Sequence, residues 1–276
     1  MNRIRQWTKM LLPYEQAVEE LKIKFKAIRK EYRDMNEYSP IEFVTGRVKK
    51  ISSIIEKSHR HNLDESKIEE EMEDIAGIRI MCQFQDDIYS VVNLIRERDG
   101  RDLKIVYEKD YIANEKISGY KSFHMVIKYP VQTAYGQKEI LAEIQIRTLA
   151  MNFWATIEHS LNYKYRKNMP EHIQERLRAS AIAASQLDLE MCEIRKEIIK
   201  AQLMFEEKSN VIRDIVDSIR LINSSGDQEV ALKFQGEFDK ICNSNDQEAL
   251  EILLTEIEKC LPRYQWLKKL NGDKEA

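Results

Sequence analysis

The stretch AEIQIRTLAMNFWATIEH, from Ala142 to His159, decides how the rest of the chain is read. Ala142, Ile144 and Ile146 alternate with Glu143, Gln145 and Arg147, the period of two that marks a strand. The apolar spacing after Leu149 then turns helical. A strand with an isoleucine face and a charged face is usually half of a covered sheet with its other side wet. A functional reading of that polar face needs partners from elsewhere in the chain.

Working outward, the strand extends back to Lys138 as KEILAEIQIR, and SFHMVIKY from Ser122 precedes it. The connection over Thr133 to Gln137 contains Gly136 and is short enough for a hairpin. LKIVYE from Leu103 and IRIMCQF from Ile78 supply further strands, with a helix over Asp86 to Glu97 between them. The pattern predicts one mixed or antiparallel sheet with helices packed on it, an α/β (α+β) fold.

Long helices are expected at both ends. Tyr14, Val18, Leu21, Phe25, Ile28 and Tyr32 form an apolar stripe on a helix over Pro13 to Arg33. Lys22, Lys26 and Arg29 line another face of it, which by pattern is a solvated row. SPIE reads as a second helix start, with Ser39 as N-cap, Pro40 in the first turn and Glu42 closing a capping box. Ile41, Val44, Val48, Ile51 and Ile55 are then expected to face the core.

After Pro170 the pattern is helical throughout. Leu177, Ser180, Ala184, Leu187, Met191, Ile194, Ile198 and Ala201 make a heptad-like seam, suited equally to the chain's own core or to a second subunit. Breaks at Asn223 to Gln228 and Asn243 to Gln247 divide the tail. The stripes Ile212, Ile215, Val216, Ile219, Ile222 and Leu250, Leu253, Leu254, Ile257, Leu261 are too apolar to leave in water. They predict a small helical element docked on its own core or on a neighbouring subunit.

The 276 residues are 43% hydrophobic, enough for one sizeable domain with an appendage. A net charge of −3 excludes a whole-protein basic field for nucleic acid. The four scattered cysteines form no CxxC pair, so zinc and disulfides are not expected. With neither a signal peptide nor a run of about 20 apolar residues, the expectation is a cytoplasmic chain with no membrane partner.

Asp74, in MEDIAGIRI just before the strand of Arg79, is a candidate Mg²⁺ ligand if a second carboxylate stands nearby and phosphates complete the shell; a turn cap is the commoner role. In NEKISGYKSFH, Gly119 permits a tight turn, and Tyr120 is read as an exposed ring between Lys116 and Lys121, suited to a nucleotide base and its phosphates. Walker A, GxGxxG and nucleophile-elbow motifs are absent. Any phosphates would be held by Arg and Lys side chains. No His-Asp dipeptide occurs, so an HD-type hydrolase has no support.

Together SPIEFVTGRVK, DIAGIRIMCQF, SGYKSFH and EIQIRTLAMNFWATIEHSLNYKY resemble a RelA/SpoT-type small alarmone synthetase, over about Trp7 to Phe205. The resemblance implies a nucleotidyltransferase-like mixed sheet of about five strands flanked by helices. It implies transfer of the β,γ-pyrophosphate of ATP to the ribose 3′-hydroxyl of GDP or GTP, giving (p)ppGpp and AMP with Mg²⁺ as cofactor. It places Arg47 and Arg79 on adenine, Lys49 and Ser53 near the ATP phosphates, and Asp74 and Glu143 as metal ligands. Glu143 is the catalytic carboxylate. Tyr120 stacks on guanine, with Lys116, Lys121, His124 and Gln145 lining the acceptor side. The chain has SGYKSFH where the family often has SGYRSYH. Lys121 therefore lacks an arginine's bidentate grip, and Phe123 lacks a hydroxyl.

Close members of that family are homotetramers with a product-binding cleft. Lys22, Lys26, Arg29, Glu42, Phe43, Thr45 and Asn152 match its positions, which gives the basic row a use in binding (p)ppGpp as an allosteric ligand. The family core ends near residue 206, so 1–206 is read as the synthetase domain and 207–276 as an added helical extension. Two other readings stand beside this one: a toxic relative acting on adenine nucleotides or the tRNA 3′ end, and a regulator that senses nucleotides or single-stranded RNA. Tyr120 in an intact loop argues against the first, and Asp74 with Glu143 against the second.

Overall fold

Strand alternation and helical stripes are converted into layers in the computed structural model, which describes residues 2–165, 169–244 and 246–272. In chain order the elements are α1 (Asn2–Asp34), β1 (Phe43–Val48), α2 (Ile51–His61), α3 (Ile68–Glu71), β2 (Ala76–Cys82), α4 (Gln85–Arg96), β3 (Lys104–Asp110), β4 (Phe123–Thr133), β5 (Gly136–Thr148), α5 (Leu149–Tyr165), α6 (Glu171–Ser224), α7 (Gln228–Ser244) and α8 (Gln247–Gly272). The described chain forms two compact units, Met1–Glu193 and Ile194–Ala276.

The first unit is built on a five-stranded mixed sheet in the order β1-β2-β5-β4-β3. Only β2 and β5 run parallel; the other neighbours are antiparallel. Thr133 pairs with Gly136 in the tight β4–β5 hairpin expected from the short connection, and the glycine takes φ 108°. Ile78, Ile80, Ile144, Ile146, Met125 and Ile127 turn to one face. There they meet Leu11, Tyr14, Val18, Leu21 and Phe25 of α1 and Ile88, Val91, Val92 and Ile95 of α4. Each such aliphatic side chain, fully buried, contributes about 1.5–3 kcal/mol. The opposite face carries the polar residues.

Two expectations change. The segment after SPIE is not a helix but β1, and helix begins only at Ile51. Apolar residues at three- and four-residue steps satisfied both periods, and six cross-strand pairs with β2 chose the strand. Ser39 Oγ accepts from the Ile41 backbone N–H at 3.2 Å, a local turn rather than a helix cap. Gly46 shows why β1 lies so close to α1: a Cβ there would stand 2.8 Å from Val18 Cγ1. α1 also starts before Pro13, at Asn2. Trp7, Met10 and Leu11 extend its stripe onto the core and outweigh the proline's missing donor.

The second unit has its own core. Ile215, Ile219 and Ile222 of α6 pack with Ala231, Phe234 and Phe238 of α7 and Leu250, Leu253 and Ile257 of α8. The two predicted stripes therefore bury each other. The break between α7 and α8 lies at the expected place, though Asn245 itself is outside the described residues. Along the α6 seam, Leu187, Met191, Ile194 and Ile198 are exposed in the single chain. Every residue of the second core lies beyond Asn210, so truncation there removes that core whole. The expected result is a soluble chain that keeps synthetic activity, read by product formation and by solution mass. An insoluble or inactive truncation would show that the first unit depends on the second.

Candidate active site

Register assembles the polar face. Arg47 opposes Gly77 and Thr45 opposes Arg79 across β1–β2; Gly77 stands beside Glu143 and Arg79 beside Gln145 across β2–β5; His124 opposes Gln145 across β4–β5. These side chains come from four strands and share one side of the sheet. Thr45, Arg47, Asp74, Arg79, Glu143 and Gln145, with Gly77 at the floor, line a cavity of about 100 Å³. A larger hollow of about 830 Å³ lies between α1 and the β4–β5 hairpin and holds none of the predicted catalytic or nucleotide-binding residues.

Asp74 sits in the turn before β2, between two ammonium groups. Lys49 Nζ is 2.5 Å from Oδ2 and Lys57 Nζ is 2.9 Å from Oδ1. Burial alone would raise this carboxyl, but the two lysines outweigh it and the net pKa is lowered. Glu143 is bound at both oxygens: His124 Nδ1 lies 2.8 Å from Oε1, and Gln145 Nε2 donates to Oε2 at 2.8 Å. Burial pushes its carboxyl up, His124 and Gln145 pull it down, and Asp74 pushes back, again with a lowered net pKa. Both acids are ionised at neutral pH. They share the cavity with Arg47 and Arg79, and the Arg79 pKa is lowered first by burial and then by the neighbouring guanidiniums of Arg147 and Arg47. Like charges held this close suit an anionic ligand.

In the loop before β4 the ring of Tyr120 is half-buried, not exposed as expected. Its hydroxyl lies 2.7 Å from His124 Nε2 and accepts from Arg147 Nη2 at 2.5 Å. Tyr111 and His124 approach the ring edge-on, with centroids at 6.0 and 5.8 Å. Gly119, at φ 82°, turns the loop so tightly against α6 that a Cβ there would stand 2.6 Å from Ala181 Cβ. Lys116 Nζ stands 4.9 Å from the Tyr120 ring centroid. Burial raises the Tyr120 pKa, and Arg147 offsets only part of that, so the phenol keeps its proton.

The remaining predicted residues scatter. Ser53 lies in the first turn of α2 and does not line the cavity. Lys121 turns to α6, donating to Ser185 Oγ at 2.8 Å and pairing with Glu115 at 3.5 Å. Phe123 points to the core face, edge-on to Tyr89 at 6.2 Å, so a hydroxyl on this ring would not enter the cleft. Of the regulatory set, Arg29 meets Glu42 at 3.4 Å, while Lys22 pairs with Glu19. Phe43 and Thr45 project from the same face of β1 as Arg47, and Lys26 is exposed. Sequence reasoning gave no role to Lys57 or Arg147. For Arg147 the signal was present, since it continues the Glu143–Gln145 face.

Residues 46–168 match the region found in RelA / SpoT proteins. The chain is 56% identical over 204 residues to the GTP pyrophosphokinase YjbM of Bacillus subtilis, covering 74% of this chain and 95% of that protein. Among solved structures, a GTP pyrophosphokinase family protein from Streptococcus pneumoniae superposes with a TM-score of 0.68 at 55% identity, covering 72% of this chain and 97% of that one. The small alarmone synthetase 1 of Bacillus subtilis bound to its product pppGpp superposes with a TM-score of 0.67 at 56% identity, covering 70% and 98%. About a quarter of this chain has no counterpart in YjbM. Identity at this level over nearly the whole of these proteins, on the same fold, means that the chain belongs to the RelA/SpoT family of GTP pyrophosphokinases, among its small alarmone synthetases.

Proposed function

We propose that the cleft over the polar sheet face carries the (p)ppGpp synthesis of this family, with Arg47, Arg79 and Lys49 on the ATP side and Tyr120, Lys116, His124 and Gln145 on the acceptor side. The observation that carries the reading is the single cavity in which two ionised carboxylates, Asp74 and Glu143, face a set of arginines. The acceptor's 3′-oxygen attacks the β-phosphorus of ATP, the Pα–O–Pβ bridge breaks, and AMP leaves with the bridging oxygen. The hydroxyl proton passes to Glu143, whose two oxygens each keep a lone pair beyond the bonds they already accept. Such a displacement needs orientation and charge neutralisation more than covalent help.

Magnesium fits this donor set. Asp74 and Glu143 line the same cavity, and an ion that keeps several of its waters is bound by one or two carboxylates plus substrate phosphates. Asp74 and Glu143 would hold it, and it would supply charge neutralisation on the transferred phosphates. Lys49 and Lys57 keep Asp74 ionised and oriented.

The deciding experiment incubates the protein with ATP, Mg²⁺ and GMP, GDP or GTP in turn and resolves the products chromatographically. AMP with a 3′-pyrophosphorylated guanine nucleotide supports the reading; no product with any acceptor sinks it. In the same assay Tyr120→Ala weakens acceptor affinity by about 1–3 kcal/mol, the worth of one base–aromatic stack, with ATP affinity changed far less. Equal losses for both nucleotides would mean a collapsed loop.

The regulatory reading belongs to this proposal too: a homotetramer with a cleft that binds (p)ppGpp. Its support is that the buried side-chain atoms without a hydrogen-bond partner among the described residues, Arg29 Nε and Asn152 Oδ1, both belong to the seven-residue set. Added pppGpp should then raise the initial rate. A wild-type rate indifferent to it removes this part and leaves the basic row as a solvated face or a contact for single-stranded RNA.

A further inference from the structure

We propose that Arg147 is the positioning residue for Glu143, gripping it through two arms that end on different carboxylate oxygens; this deepens the reading of Glu143 as proton acceptor and rests on it. Arg147 is 4% exposed and lies on β5, four residues beyond Glu143 on the same strand face. Its Nε donates to Ser122 Oγ at 3.2 Å, which anchors the guanidinium. Its Nη2 donates to two acceptors, Tyr120 Oη at 2.5 Å and Gln145 Oε1 at 2.8 Å. From Tyr120 one arm runs through His124 Nε2, at 2.7 Å, to His124 Nδ1 and Glu143 Oε1 at 2.8 Å. From Gln145 the other arm runs through Nε2 to Glu143 Oε2, also at 2.8 Å.

The direction of every bond follows from Arg147. A guanidinium has donors only. Tyr120 and Gln145 must therefore accept from it with their oxygens. Gln145 Oε1 also takes Arg79 Nε at 3.3 Å, which fixes the amide with its NH₂ toward Glu143. The phenol proton of Tyr120 is left to donate to His124 Nε2. That nitrogen must accept, so the imidazole proton sits on Nδ1 and points at the carboxylate. A network with a single consistent assignment holds its terminal group in one orientation. The same hydroxyl belongs to the ring expected to stack on the acceptor base. Base seat and carboxylate are thereby joined through one intervening histidine.

The test uses the full chain and three variants. Tyr120→Phe keeps the ring and cuts one arm. The expected result is a fall in kcat of about tenfold, the rate equivalent of one hydrogen bond, with the acceptor KM unchanged. Arg147→Lys keeps the charge but cannot serve both acceptors with guanidinium geometry, and it lowers kcat further. In the double variant, Tyr120→Phe adds less than it does alone, because the arm is already loosened. Independently of activity, ¹⁵N spectra of histidine-labelled protein, with His124 assigned through His124→Gln, should show the Nδ1–H tautomer in the wild type and, in Tyr120→Phe, an Nε2 resonance moved by loss of the phenol donor. The proposal is overturned by an Nε2–H tautomer in the wild type, by a wild-type kcat in Tyr120→Phe, or by effects that simply multiply in the double variant. If Arg147→Lys does not fold, the Tyr120→Phe rate and the spectra still decide. A wild type inactive on every guanine acceptor would sink the functional reading, while the His124 tautomer would still judge the clamp.

Discussion

Glu143→Gln lowers turnover by about 10²–10⁴-fold, the usual worth of a positioned general base, and leaves the fold intact. The substitution keeps shape and volume on β5, where the strand is held on both sides by β2 and β4. It removes the charge that draws the hydroxyl proton. It also spoils the local bonding, because the carboxylate accepts from His124 at one oxygen and from Gln145 at the other. An amide can accept at one of those places and must present a donor at the other. Initial rates of AMP release, read beside the thermal unfolding midpoint, check this. Near-normal AMP release from a folded variant would remove Glu143 from the chemistry.

Asp74→Asn lowers turnover by at least about 10²-fold, the size of effect that follows loss of one preorganised electrostatic group. The neutral amide can accept from Lys49 or Lys57 but repels the other ammonium, and the cavity keeps only Glu143 as a negative charge among its arginines. Both pairs are partly open to solvent, so the stability cost is only about 1 kcal/mol, visible as a small shift in the denaturant midpoint. Raising Mg²⁺ separates two roles. Partial recovery marks Asp74 as a metal ligand; an unchanged defect marks it as the group that orients the lysines. Full activity at low Mg²⁺ would rule out both.

Much of this molecule is legible along the chain because its signals are local. The alternation of Ile144 and Ile146 with Glu143 and Gln145 defines β5 and its two faces. Gly136 marks the hairpin, and the stripes of Ile215 to Ile222 and Leu250 to Ile257 announce helices that need a partner. The nomination of Asp74, Arg79, Glu143 and Gln145 as one set rests on the family motifs that hold them; periodicity alone gives a polar strand face and a residue in a turn.

Where local signals tied, distant pairing decided. Phe43–Val48 satisfied both a helical and an extended period, and only its ladder with β2, some thirty residues on, made it a strand. The side-chain network was equally out of reach of the sequence. Whether Lys121 turns to the cleft or to Ser185 depends on α6 packing against its loop, 64 residues away. Whether Phe123 meets substrate or core depends on the β4–β5 register. Arg147 reads as one more polar residue on a strand until register and loop packing bring Tyr120 and Gln145 to the same guanidinium nitrogen. Periodicity says which face a side chain takes, because each residue's backbone geometry sets that. Which partner it meets there is set by long-range register and packing, and for this cleft those two decide how the Glu143 carboxylate is held.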